Sequence, residues 1–390
     1  MGSPSKVVYV HQYFKTPSEG GGIRSYHLAK SLVQKGIEVV MITSHNAPSY
    51  LQKKVEGIHV HYLPIPYSNH LSFTKRILAF VRFMFKSIYL LHKVKQVDVC
   101  YVMTTPLSTG VIALYAKFVK RIPYIFEIGD LWPSVPVQMG VIRNKLLTSF
   151  LFFFEKLVYR QARAIVALSP AIADYIQALV PQKEIRCIPN IASTAFFDTH
   201  IADDGCFRIG YFGTAGMANK LVFLLAAAKQ AKAKSLNVHF DIMAEGAELT
   251  FIKEEKEKMN LTNLSFFSYG GKEKVKERLL LCQAIYISFA DIPLLATGSP
   301  NKLFDGLSAG KLIIINFEGW IKKLIEENEC GFSYNPHHTD EFVQELIIFL
   351  RDRDKLMTYQ ENARALAMHY SEENAANKLY ELMVNFQKMK

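Results

Sequence analysis

Two successive α/β domains, each a doubly wound parallel sheet, are what this sequence predicts, and three observations carry the prediction. The chain has 390 residues, half of them hydrophobic, more than one ordinary core holds. Short apolar runs alternate with helix-period segments, and that rhythm occurs twice. Between the two series, over NIASTAFFDTHIADDG from Asn190 to Gly205, the periodicity is lost, which marks a hinge.

In the first half, KVVYVH (6 to 11) leads through a Gly-rich loop into IRSYHLAKSLVQKG. There Ile23, Leu28 and Leu32 share a face and Gly36 suits the left-handed residue that ends a helix. IEVVMIT, VDVCYVM, IPYIFEIG and AIVALS follow as β-branched or aromatic runs fit for strands buried on both faces. The second half repeats this with FRIGYFG, NVHFDIMA, LSFFSYG, AIYISFA and KLIIINF, separated by helical segments. After Tyr370 one more amphipathic helix, SEENAANKLYELMVNFQKM, closes the chain. Ligands of open α/β sheets bind at the carboxyl ends of strands, so a site in a cleft between two facing domains is expected.

Cys100, Cys187, Cys206, Cys282 and Cys330 are far apart and lack C-x-x-C spacing, which suggests neither zinc nor a disulfide framework and fits a reducing cytosol. No uninterrupted apolar run reaches the roughly 18 to 20 residues of a bilayer span, and a signal-peptide core is not seen at the N-terminus. The net charge of +11 is unevenly placed. Up to Asn190 there are 23 Lys and Arg against 9 Asp and Glu; the rest of the chain has 23 against 26. A field of that kind attracts nucleic acid, anionic membrane or a phosphorylated acceptor to the first half.

The segment ATGSPNKLFDGLSAGKLIIIN, Ala296 to Asn316, puts a small-residue loop, a short helix and a buried strand back to back. Ser299 as N-cap and Pro300 as first helical residue place a helix there, ending at Gly310. Its free N–H groups, with the open Gly298 loop before them, suit a phosphate. Lys302 adds charge, and Asp305, roughly 9 Å along the axis from the cap, can reach a sugar hydroxyl beyond a diphosphate. A capped helix with a surface Asp and Lys is the plain alternative.

These residues resemble the donor-binding helix of retaining GT-B glycosyltransferases of family 4, and the resemblance extends over nearly the whole chain. SEGGGIRSYHLAKSLVQKGIEVVMIT is similar to the family's first loop, helix and strand, which implies that Gly20, Gly21 and Gly22 lie near donor phosphates or acceptor. DVCYVMTTPLSTG, IPYIFEIGDLWPS, ALSPAIADYI, CIPNI, YFGTAGMANK and ENECGFSYNP follow in family order, and Asp-Leu-Trp-Pro at 130 to 133 is especially like the bacterial O-antigen and capsule subgroup that includes N-acetyl-L-fucosamine transferases. The resemblance implies a GT-B fold with an acceptor-binding domain over 1–190 plus 371–390, its last helix crossing back, and a nucleotide-sugar domain over 191–370. It implies donor contacts from Gly21, Gly22, Gly213, Gly216, Lys220, Gly298, Ser299, Lys302 and Asp305, the last on the nucleotide ribose.

Two departures stand out. The family often carries two carboxylates eight residues apart around this helix; here the first is Thr297 and the second, usually Glu, is Asp305, so the acidic group near the sugar is missing or supplied elsewhere. Many members place an Arg and a Lys in the 213–220 loop, where this chain has Thr214 and Asn219 and keeps Lys220.

Transfer from a sugar nucleotide needs the departing diphosphate stabilised, which helix N-termini and lysines can do without a metal; no Asp-x-Asp metal motif is expected in the chain, and no cofactor. Asp130 and Glu127, at a predicted strand end, are the candidate catalytic carboxylates that orient the acceptor hydroxyl or the sugar, with a solvated turn-capping Asp the alternative. His11 reads as structural.

LSFTKRILAFVRFMFKSIYLLHKVK (71 to 95) sets Lys75, Arg82, Lys86 and Lys93 on one helical stripe among Phe, Leu and Ile. RNKLLTSFLFFFEKLVYR carries Phe150, Phe152, Phe153 and Phe154 beside Arg143 and Lys145. Basic amphipathic helices of this kind lie in membrane interfaces. The expectation is therefore a retaining, metal-independent glycosyltransferase, peripheral on the inner face of a bacterial plasma membrane. It would move a sugar, of N-acetylated hexosamine or deoxyhexosamine type, from a UDP-sugar to a lipid-linked (undecaprenyl-type) saccharide of a cell-surface polysaccharide such as lipopolysaccharide. The rivals are a sugar-nucleotide epimerase of the same fold and a non-catalytic polyanion- or membrane-binding protein; no nucleic-acid module is recognisable.

Overall fold

The computed structural model describes residues 4–19, 23–68, 71–193 and 205–388. The chain forms two compact units, one of Met1–Pro189 with Thr297–Ser299 and Glu372–Lys390, the other of Asn190–Ala296 with Pro300–Ser371.

The first unit contains β1 (Lys6–Val10), α1 (Arg24–Gln34), β2 (Glu38–His45), β3 (Leu51–Val55), β4 (Ile58–Pro64), α2 (Phe73–Lys93), β5 (Val99–Met103), α3 (Thr109–Phe118), β6 (Tyr124–Ile128), α4 (Ser134–Gln138), α5 (Lys145–Gln161), β7 (Ala164–Ala167), α6 (Pro170–Leu179) and β8 (Ile185–Cys187). Its sheet runs β3-β4-β2-β1-β5-β6-β7-β8, parallel throughout except where β3 pairs antiparallel with β4. The β3–β4 hairpin is an addition to the strands expected from sequence. LQKKV is solvent-exposed and IHVHYLP alternates with period two, so neither is the continuous apolar run that identifies a strand buried on both faces.

The second unit contains β9 (Phe207–Thr214), α7 (Val222–Ala233), β10 (Val238–Glu245), α8 (Leu249–Lys258), β11 (Leu264–Phe267), α9 (Lys272–Leu280), β12 (Ala284–Ile287), α10 (Asn301–Ser308), β13 (Leu312–Ile315), α11 (Trp320–Glu327), β14 (Gly331–Ser333), α12 (Thr339–Arg351) and α13 (Arg353–His369). Its sheet, β11-β10-β9-β12-β13-β14, is wholly parallel. Alternation on a pleated strand explains the sequence: Ile209, Tyr211, Ile242 and Ile314 enter the core on one face, while Phe212, Met243, Ile313 and Ile315 enter the core on the other. Each such side chain contributes roughly 1.5–3 kcal/mol by leaving water.

The last helix, α14 (Glu372–Lys388), belongs to the first unit. Glu372 meets His27 at 2.9 Å, and Lys35 Nζ donates to Asn377 Oδ1 at 3.0 Å while lying 4.9 Å from the Tyr380 ring centroid. Gly36, with φ of +82°, is the left-handed residue after α1. All five cysteines are free.

Candidate functional site

In each sheet the strand order reverses beside the first strand of its unit, and the loops leaving that point collect the polar groups. In the second unit these are the loops after β9 and β12. Gly213, at φ +147°, stands where a Cβ would sit 2.6 Å from Lys302 Cε and 2.9 Å from its Nζ, so only glycine leaves the lysine its place across the end of β9. The Lys302 ammonium lies 5.0 Å from the Tyr211 ring centroid. Burial lowers it to about 8, with Asp305 opposing part of the shift. Lys302 and Asp305, three residues apart, share one face of α10, and both are half-buried.

The 214–220 loop is fixed by backbone bonds from Ala215 N to Glu245 O (2.7 Å), from Lys220 N to Gly216 O (3.1 Å) and from Ala290 N to Ala218 O (2.8 Å). Gly216 thus helps close the turn. A Cβ on it would meet no atom nearer than 3.6 Å, so its role there does not require glycine. The ammonium of Lys220, the residue expected beside the phosphates, lies 4.7 Å from the centroid of the Phe223 ring.

Ser299 was expected to cap the donor helix. The helix instead begins at Asn301 with Pro300 as N-cap, because a Pro300 ψ of 134° keeps that residue extended, and Ser299 falls one residue outside. Leu303 N donates to Pro300 O at 3.1 Å, which leaves the N–H groups of Asn301 and Lys302 without a partner within the helix, and Asp305 is then roughly 7 Å along the axis from the cap. Thr297, Gly298 and Ser299 group with the first unit, where Ser169 Oγ donates to Thr297 O at 2.5 Å. Tyr269, which the sequence reading did not select, stands close enough that its phenol is raised by burial and then by the charges of Glu245 and Asp305. The Tyr-Gly-Gly that follows β11 is the signal that could have found it.

In the first unit, His11 follows β1, with Nδ1 2.8 Å from Ser25 Oγ. Burial, and then Arg24, lowers it to about 3, so it stays a neutral imidazole, in keeping with a structural role. Arg24 Nε donates to Glu127 Oε1 at 2.9 Å, Tyr101 OH donates to Glu127 Oε2, and Arg24 also donates to Pro189 O. This corrects the expectation for Glu127. With no exposed surface and both carboxylate oxygens engaged, it cannot meet a substrate hydroxyl, and it holds Arg24 in place instead. Asp130 is the open carboxylate of the pair, with Thr105 Oγ1 3.4 Å from Oδ2, and crowding by the surrounding chain raises it. Tyr9 OH, both side-chain amide atoms of Gln12 and Arg24 Nη2 are buried without a protein partner in this cluster, which suits a polar ligand or water. Gly21 and Gly22, like Gly20, lie outside the described residues.

Lys75, Arg82, Lys86 and Lys93 are all exposed along α2. Beside them Phe85 and Tyr89 are also open, and on α5 so are Leu146 (83%), Phe150 (59%) and Phe153 (67%). Lys120 Nζ donates to His92 O at the end of α2, and Lys117 Nζ on α3 donates to Gln161 O at the end of α5, so the three helices lie side by side. No helix among the described residues is long and apolar enough to cross a membrane.

Among the described residues no group of three His, Cys, Asp or Glu side chains could hold a metal ion. Against the expectation that the sequence has none, one Asp-x-Asp pattern, Asp352-Arg353-Asp354, is present; there Asp352 accepts from Lys355 N as the cap of α13.

Residues 19–191 match the glycosyl transferase 4-like domain, and residues 196–366 match glycosyl transferases group 1. No curated protein matches the chain. Among solved structures, sucrose-phosphate synthase from Thermosynechococcus elongatus aligns over 99% of this chain and 100% of its own with a TM-score of 0.80 at 14% identity. Anabaena HepE in complex with UDP-glucose aligns over 97% and 99% with 0.71 at 15%. TarM of S. aureus, in complex with Fondaparinux, alpha-GlcNAc-glycerol and UDP, aligns over 97% and 99% with 0.69 at 10%. At these identities the likeness is one of fold.

Proposed function

This chain is a glycosyltransferase with the GT-B fold, and we propose that it transfers a sugar, of N-acetylated hexosamine or deoxyhexosamine type, from a UDP-sugar to a lipid-linked saccharide with retention of configuration and without a metal. The observation that carries the donor side is Lys302 laid across Gly213 beside the open first turn of α10, with Asp305 on the same helical face. A half-buried ammonium whose charge is held at a cost is matched to a diphosphate, whose negative charge grows as the bond to the sugar breaks. Asp305 accepts from the ribose hydroxyls, and Tyr269 supplies a ring close to it.

On the acceptor side, Asp130 orients the hydroxyl. The departing phosphate accepts its proton, so no separate base is needed. The stripe of Lys75, Arg82, Lys86 and Lys93, with the open aromatic residues of α2 and α5, seats the enzyme on an anionic membrane, where a lipid-linked acceptor of O-antigen or capsule type resides.

The test is a thermal-shift titration with UDP, GDP and ADP in EDTA, run beside Asp305→Ala. UDP should stabilise the protein saturably, and the variant should lose that response while melting near the wild-type temperature in the absence of nucleotide. No shift with any nucleotide would overturn the donor reading. Retained binding without turnover on any acceptor would move the non-catalytic reading forward.

A further inference from the structure

Away from the carboxyl ends of the strands, a hollow of about 340 Å³ opens over the outer part of the first sheet, walled by the end of α2 and the turn that follows it. Its lining includes Lys93, Lys95, His59, His61 and Gln52, together with Lys6 and Glu38. The hairpin register pairs Gln52 with His61 and Lys54 with His59, so these four side chains leave the same face of the sheet. The carboxylate of the hollow, Glu38, is already paired with Lys6 at 2.9 Å. Lys93 and Lys95 thus stand with two histidines around a space whose acid is taken, and Lys54 leaves the same sheet face beside His59. Like charges opposed across a sheet are destabilising, and an anion in the hollow removes that penalty.

We infer that this hollow is a phosphate-binding site, built from Lys93, Lys95, His59 and His61 with Lys54 at its margin beside His59, and separate from the donor site. Tyr50 OH lies 2.5 Å from His61 Nδ1. When the hydroxyl donates, the ring carries its proton on Nε2 and remains a donor to an anion even when neutral. Burial, and then the neighbouring His59, lowers His61. A bound phosphate raises His61, because it favours the charged imidazole against the neighbouring His59, Lys54, Lys93, Lys95, the Lys6–Glu38 pair and Tyr50. Two sources share this chemistry, a phosphate-bearing lipid headgroup beside α2 and a free phosphate ester.

The experiment follows the imidazole proton resonances of His59 and His61 while sodium phosphate replaces sodium chloride at constant ionic strength. Alongside it runs co-sedimentation with phosphatidylcholine vesicles, with and without phosphatidic acid. The variants are Lys54→Gln with Lys95→Gln, and His59→Asn, all outside the exposed stripe of α2. Phosphate should move both resonances saturably and raise the titration midpoint of His61. The double variant should bind phosphate about 5- to 10-fold more weakly, the loss expected for two partly screened charge contacts, while UDP stabilisation is unchanged. Phosphatidic-acid binding that weakens in the variants identifies a headgroup; a phosphate response without it identifies a soluble ester. Resonances that respond to phosphate no more than to chloride, or variants with wild-type phosphate affinity, would overturn the site whatever the fate of the donor reading.

Discussion

Replacing Lys302 with Met removes the ammonium and keeps the length of the side chain. The fall of Lys302 from 10.5 to about 8, caused first by burial, means that the folded chain holds this proton less tightly than the unfolded chain. That difference corresponds to an upper limit of roughly 3 kcal/mol. Below about 8 the lysine is charged in both states and the penalty is fully present. Between about 8 and 10.5 the unfolded chain binds more protons, so stability rises with pH across that window. Lys311, fully buried and also lowered to about 8 by burial, contributes the same sign. Lys302→Met should therefore raise the stability of the nucleotide-free protein at neutral pH by about 1–3 kcal/mol and remove part of its rise above pH 8. UDP affinity should fall about 10- to 150-fold, the equivalent of one charge-assisted hydrogen bond at 1.5–3 kcal/mol. Denaturant unfolding across the pH range and calorimetric titration with UDP measure both quantities. A variant that is less stable yet binds UDP as the wild type does would refute the assignment, because the lysine would then serve the fold rather than the phosphate.

Three further outcomes are expected. Arg24→Ala leaves Glu127 buried and unpaired and should cost about 3–5 kcal/mol in denaturant unfolding; wild-type stability with lost turnover would return Glu127 to the reacting groups. Asp130→Asn should do the opposite, lowering turnover with little change in melting temperature, and a large fall in stability would make it structural. Changing Lys75, Arg82, Lys86 and Lys93 to Gln should weaken binding to anionic liposomes at low salt, while Phe150→Ser with Phe153→Ser should weaken the part that survives high salt, by about 1.5–3 kcal/mol per ring at most. Unchanged partitioning in both variants would rule out this face as the membrane contact.

The legible parts of the sequence were those in which local pattern and burial coincide. Strands such as LIII, covered on both faces, read as continuous apolar runs, and the Ser-Pro start and Gly310 stop marked the short helix that carries Lys302 and Asp305. The β3–β4 hairpin escaped because β3 lies open to water along its length and β4 spends alternate positions on histidine. The helix start slipped by one residue because the extended Pro300 backbone, not the capping preference of Ser299, decided where the turns begin.

By itself, then, the sequence determined two β/α series, the last helix, the uneven charge and the carboxylate and lysine of α10, all of which depend on neighbours a few residues apart. Tertiary structure alone decided which polar groups are spent on one another. Arg24 and Glu127 lie 103 residues apart and neutralise each other in the core, while Lys220 turns to Phe223 and Lys302 crosses the space left by Gly213. It also brought Lys93 and Lys95 to His59 and His61. These pairings depend on strand order and register, which carry distant residues to the same edge of a sheet and leave no periodic trace along the chain.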